Sequence, residues 1–227
     1  MINKFVSMLM GLLFYRSSLL KFSPHEVVEY DKIYSDAISE NSEIIYSSNY
    51  PKYRFIQYIS SSKPVIMHGS NNEGILEFET RRQTLYNGQY VEAVFATKDG
   101  TWSLFYAVFD RHKLVDNFRN ACFKIRKNKN RYYFFSLTQN TMNKNPWTNG
   151  IVYFLPQESF ENTNSSIVSF DEWISRTPVT PITRITVEPH DFYFIDKVSC
   201  HKANESLFTS WFLYKLRLKV NAKKTLN

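Results

Sequence analysis

Residues 92–109 read EAVFATKDGTWSLFYAVF, and the parsing of this stretch decides the fold class. EAVFAT (92–97) has the make-up of a compact strand, and Asp99-Gly100 supplies a turn. TWSLFYAVF (101–109) is apolar on nearly every side, so it suits either a buried helix or a buried strand. Upstream, Val65-Ile66-Met67 is a short buried-strand run that ends on His68-Gly69-Ser70. Downstream, residues 121–137 have the form of a hairpin: CFKIR, a polar turn KNKN, then RYYFFSL. GIVYFLP (150–156) and ITRITV (182–187) are further strands, with a turn around Glu158 to Phe160. Strands scattered among helices without a strict βαβ alternation predict an α+β protein.

The N-terminal part reads as helical. The apolar run FVSMLMGLLFY (5–15) behind Lys4 extends towards Leu19 and Leu20. It has the length of a signal-peptide core, yet no small-x-small cleavage site follows before Arg16, which favours a helix packed on the domain. Ser23-Pro24 is a cap and first turn for a helix over 25–38, and residues 41–48 read as a loop. YPKYRFIQYIS (50–60) suits a short helix broken at SSSKP (60–64). The resulting division is a helical N-terminal extension (1–60), a core (61–201) and a basic amphipathic C-terminal segment (202–227).

With 227 residues, 43% hydrophobic and 22% charged, the chain can form one well-cored domain with an appendage, and wholesale disorder is excluded. Aromatics reach 17%, which leans towards strands and a bulky core. The net charge of +7 is unevenly spread. Residues 111–131 carry eight Lys/Arg against Asp116, and residues 201–227 carry six against Glu205. Taking those local nets of +7 and +5 from the total of +7 leaves the rest of the chain at −5. Cys122 and Cys200 read as reduced thiols in a cytoplasmic protein, and the five histidines have no zinc-site spacing.

Three places carry candidate chemistry. His68-Gly69-Ser70 ends a strand, where a glycine lets backbone and imidazole approach a ligand, or simply makes a turn. AVFATKDGTWSLFY (93–106) can bring Tyr106 or Phe105 to the same cleft, or bury both in the core. Glu172, entering a strand beside Trp173, is either an electrostatic group or a solvated edge charge.

In this order the three segments resemble the ADP-ribosyltransferase superfamily, in the branch with a His-Tyr-Glu triad shared by poly-ADP-ribose polymerases and diphtheria-type toxins. The matching pieces are HGSNN with FETRRQT, AVFATKDGTW with FYAVFDR, PWTNGIVYFLPQESF, and EWISRTPVTPITRITVEPHDF, spanning about residues 65–201. Their flanks are similar to a group of bacterial hypothetical proteins with such a core. The resemblance implies two small sheets facing a cleft, NAD as substrate, and transfer of ADP-ribose to a macromolecular acceptor, or NAD hydrolysis. It places His68 and Ser70 at the ribose, Gly69 at the nicotinamide amide, and Tyr106 or Phe105 against the nicotinamide ring. Glu172 becomes the acid. Separately, Arg81-Arg82 with Gln83, between the first two motifs, is either a bidentate pyrophosphate contact, with Arg81 at the ligand, or a solvated pair on a surface loop.

Other readings stay open. One takes Trp147, Glu188, His190 and Asp191 as a different site near His68. A catalytically silent relative would contact nucleic acid or a protein partner through the hairpin tip, where Tyr132 to Phe135 either stack bases or alternate into the core. A transferase acting on an RNA 2′-phosphate is a third reading. The C-terminal WFLYKLRLKVNAKK either caps the domain or lies on an anionic membrane, and its alternation over 215–220 also permits a strand.

Overall fold

In a computed structural model the described residues are 2–85, 88–162 and 166–224, with side chains described to residue 220. The chain runs α1 (Ile2–Leu13), β1 (Tyr15–Ser17), α2 (Pro24–Ser39), α3 (Lys52–Ser62), β2 (Val65–Ser70), β3 (Arg81–Thr84), β4 (Tyr90–Ala96), α4 (Gly100–Val108) and β5 (Phe118–Ile125). It continues β6 (Arg131–Thr138), α5 (Gln139–Asn143), β7 (Gly150–Pro156), β8 (Glu161–Asn162), β9 (Val168–Phe170), β10 (Trp173–Ser175), β11 (Thr183–Val187), β12 (Val198–His201) and α6 (Leu207–Lys224).

The class is α+β. Two small sheets were expected; the described residues form three. The first has the order β1-β6-β5-β9, antiparallel, with β12 added parallel to β6. The others are β3-β4-β10-β8 and β11-β7-β2, both antiparallel. One isolated bridge, Met67 to Thr97, joins these last two: each residue's N–H donates to the other's carbonyl, at 2.8 and 2.9 Å.

Period-two alternation on β6 explains why the first sheet is covered on both sides. Tyr133, Phe135 and Leu137 enter the main core with Phe105, Phe109 and Phe192. Tyr132 and Phe134 enter a second cluster with Met10, Phe14 and Tyr214, under α1 and α6. The four aromatics at the hairpin base are therefore core residues, at most 2% exposed, and offer no surface for base stacking.

The ambiguous stretch resolves as a helix. Asp99 is its N-cap rather than a turn residue: Asp99 Oδ1 accepts from Trp102 N at 2.9 Å. All nine residues of α4 except Tyr106 are buried, which is why neither period showed in the sequence. The helix lies against β2 and β7 so closely that only glycine fits beneath it. A Cβ at Gly69 would fall 2.0 Å from Ser103 O, and one at Gly150 would fall 1.8 Å from Ala107 O.

At the N-terminus the structure departs from the expected continuous helix. α1 ends at Leu13, and Tyr15–Ser17 pairs with Tyr133, Tyr132 and Arg131 of β6. α2 begins as read: Ser23 Oγ accepts from Glu26 N, and Glu26 Oε2 accepts from Ser23 N. α2 and α3 send Tyr30, Ile33, Phe55, Ile56 and Ile59 into the main core. The C-terminal segment is helical throughout its alternating part. Among the described residues no helix is long and apolar enough to cross a membrane.

Candidate functional site

Beyond the Met67–Thr97 bridge, β2 and β4 are no longer paired, and a cavity of about 190 Å³ opens between them. β2 contributes His68 and Gly69 to its lining, and β4 contributes Phe95 and Ala96. Gln83 and Thr84 of β3 form another wall. From α4 come Trp102, Ser103 and Tyr106, and Arg111, Glu172 and the bridging Met67 and Thr97 complete the lining.

Three of the residues singled out from the sequence, His68, Tyr106 and Glu172, thus line one cavity, together with Gly69. Each arrives there for a local reason. His68 follows the last residue of β2 that bridges to β4, and its Nδ1 lies 2.7 Å from the Phe95 carbonyl in place of a backbone pair. A carbonyl only accepts, so Nδ1 carries the proton and Nε2 is left as an acceptor. Burial holds the His68 imidazole down at about 4, helped by the charges of Arg111 and Arg81, so the ring is neutral at pH 7.

Tyr106 is the one partly exposed residue of α4 because a helix turns by about 100° per residue. That rotation sends Phe105 the other way, fully buried against Phe109 and Phe135. Phe105 therefore does not line the cavity, which corrects its candidacy as the stacking ring. The Tyr106 hydroxyl donates to Asn120 Oδ1 at 3.0 Å, and Trp102 Nε1 donates to the same oxygen at 2.5 Å. Burial raises the phenol above its usual range, Arg111 and Asn120 work against that, and the Glu172 charge adds to it. The Arg111 guanidinium sits 5.1 Å over the Tyr106 ring.

Glu172 precedes β10, whose Trp173 pairs with Ala96. Its neighbour Asp171 turns inward and is fully buried, 2.5 Å from Lys124 Nζ and accepting from Trp173 Nε1 at 3.0 Å. Alternation along the chain then directs Glu172 to the opposite side, where it lines the cavity.

The remaining candidates lie elsewhere. Ser70 is not part of the lining; its Oγ accepts from Asn72 N. Arg81 and Arg82 are exposed on the edge strand β3, Arg82 stacked over Tyr90 at 4.9 Å. Arg81 shares a strand face with Gln83, and its charge reaches His68. Trp147, Glu188, His190 and Asp191 do not line this cavity. Glu188 and Asp191 are tied into a local turn, and Asp191 also pairs with Lys52 at 3.2 Å.

Arg111, at the end of the FYAVFDR piece, and Trp102, inside the apolar run, also line the cavity and carry no signal of that in the sequence. One buried group of metal-ligand type exists among the described residues: Asp99, Cys122 and Asp171, with ligand atoms within 4.8 Å of one another. Lys124 already pairs with Asp171, and Arg131 lies 3.8 Å from Asp99. Burial pushes the Cys122 thiol well up, keeping it protonated. Two carboxylates with two cations are balanced without a metal, and we assign none.

Compared with protein-family models, curated proteins and solved structures, the chain matches none of them. The site defines a class by its own geometry: an α+β protein with a part-enclosed cleft holding a neutral histidine, a tyrosine, an arginine and a carboxylate.

Proposed function

We propose that the protein binds NAD in this cleft and breaks the bond between nicotinamide and ribose. ADP-ribose then passes to a macromolecular acceptor or to water. The observation that supports this reading is the convergence of His68, Tyr106 and Glu172 on one cavity, although they lie 38 and 66 positions apart in sequence. The cavity is smaller than the roughly 300–1,000 Å³ of pockets that enclose drug-sized ligands. It suits one end of a dinucleotide, the nicotinamide and its ribose, with the rest lying out along β3.

The chemistry follows from the residue types. The C1′–N1 bond breaks with its electron pair leaving on nicotinamide, which becomes neutral, while positive charge develops on the ribose. Glu172 offers a fixed negative charge that is worth more to that cation than to the ground state. His68 Nε2 accepts from a ribose hydroxyl, and Tyr106 holds the leaving ring in line. Arg111 offers a bidentate donor to the pyrophosphate, displaced from its place over Tyr106. The acceptor nucleophile, or water, then bonds to C1′ and releases its proton to solvent or to Glu172.

The test is incubation with NAD labelled in the nicotinamide. Wild type is expected to release labelled nicotinamide, and Glu172→Ala to lose about 10²–10³-fold in rate, the effect typical of removing one preorganised charge. Equal release by both proteins would remove Glu172 from the chemistry, and no release by wild type with any acceptor would remove the reading. The silent relative that contacts nucleic acid is weakened by the burial of Tyr132, Tyr133, Phe134 and Phe135, which leaves only phosphate contacts at the hairpin.

A further inference from the structure

α1 and α6 lie side by side on one face of the β1-β6-β5-β9 sheet. Met10 and Phe14 from one helix region and Tyr214 from the other pack on Ala121, Phe123 and Phe134, and Lys215 Nζ donates to Gly11 O at 2.7 Å. Two helices on the same sheet face turn their outer sides in the same direction. Those outer sides are apolar. On α1, Ile2, Phe5, Met8 and Leu12 are 65–71% exposed; on α6, Phe208, Phe212, Leu216 and Val220 are 53–68% exposed. Spacings of three and four make each set a continuous stripe along its helix.

The charges on the two helices have one sign, and Glu205, just before α6, is taken up by Arg217 at 2.5 Å. Neither helix contains an Asp or Glu, while Lys4 and Lys219 are exposed. The turn between β5 and β6 is tied to α1, because Asn3 Nδ2 donates to Arg126 O at 3.1 Å and Asn128 Nδ2 to Ser7 Oγ at 3.0 Å. That turn exposes Arg126, Lys127 and Lys129. Both basic segments of the sequence therefore adjoin the same apolar face, although they lie about a hundred residues apart in the chain.

We infer that this face docks onto an anionic lipid bilayer, with the two apolar stripes inserted at the headgroup boundary and the flanking Lys and Arg on acidic headgroups. A second copy of the chain is a poorer occupant, since two such faces would bring like charges together. Nucleic acid would use the cations and leave the apolar stripes in water. The cleft lies on the other side of this sheet, beyond α4, so docking leaves it open.

Sedimentation with vesicles tests the inference on the full chain. The protein is expected to pellet with vesicles of equimolar phosphatidylcholine and phosphatidylserine, and about tenfold or more weakly with phosphatidylcholine alone. Phe5→Glu and Phe212→Glu, at exposed positions, should each lower binding about tenfold or more with the thermal midpoint unchanged. Lys127→Glu should weaken binding to the anionic vesicles only. The inference is overturned if wild type stays in the supernatant with anionic vesicles. It is equally overturned if sedimentation velocity shows a dimer that Phe212→Glu splits, or if these variants change RNA binding and leave lipid binding untouched.

Discussion

Replacing Gly69 by alanine tests how the cleft is built. The new Cβ would lie 2.0 Å from Ser103 O, 2.6 Å from Ala107 N and 3.0 Å from Ser103 C. All three are backbone atoms of α4, so no side chain can swing away. Restoring van der Waals contact requires the helix and β2 to part by about 1 Å in a core packed like a crystal. Overpacking of this kind costs typically about 1–3 kcal/mol, and the backbone identity of every contact puts this case at the upper end. For a chain of this size each kcal/mol lowers the thermal midpoint by roughly 2–4 °C, so a fall of about 6–12 °C is expected. Tyr106 rides on α4 while His68 belongs to β2, so the same displacement should also weaken ligand binding. Gly74→Ala is the control: its Cβ would meet only Asn72 Oδ1 at 3.6 Å, and its midpoint should hardly move. Differential scanning calorimetry decides the matter. A Gly69→Ala protein that melts within the error of wild type would refute the claimed fit of α4 on β2.

Two further predictions concern charge. Lys124→Ala leaves the fully buried Asp171 without its cation, and Asp171 Oδ2 has no hydrogen-bond partner to compensate. A loss of about 3–5 kcal/mol is expected in denaturant unfolding, largely recovered by adding Asp171→Asn, and no recovery would mean that the pair is not what holds β10 in place. His68 and His201 are both held at about 4 by burial, below the ordinary value of 6.5. The folded state keeps them neutral while the unfolded chain takes up protons, so their stabilisation is complete above pH 6.5 and drains away as pH falls towards 4. At most about 3 kcal/mol per histidine is at stake. Denaturant midpoints at pH 7 and pH 5 should differ in that direction, and an unchanged midpoint would contradict the neutral assignment.

Much of this architecture was legible in the sequence where local chemistry and period agree. Ser23-Pro24 with Glu26 is a capping signature that depends on four consecutive residues, and the hairpin around KNKN carries its register in its own alternation. The parts that were not legible depend on distant partners. Tyr15–Ser17 becomes a strand only because Arg131 to Tyr133 present an open edge more than a hundred residues away. Asp99 reads equally as a turn residue and as a helix cap until burial of all sides of the next segment fixes a helix. The same helix settles the choice between Phe105 and Tyr106, since adjacent residues on it face apart. The grouping of His68, Tyr106 and Glu172 was an expectation of the resemblance, while residue type alone left each of them a structural alternative. Arg111 was not legible, because an arginine after an aromatic run looks like a solvated charge until the chain folds it over Tyr106.

The central claim is that the cleft between β2 and β4 receives the nicotinamide end of NAD. Calorimetric titration of NAD into wild type and His68→Ala tests it most directly. Saturable binding by wild type, weakened about tenfold or more once the ribose acceptor is removed, is the predicted result. No heat with wild type, or equal affinity in both proteins, would contradict it.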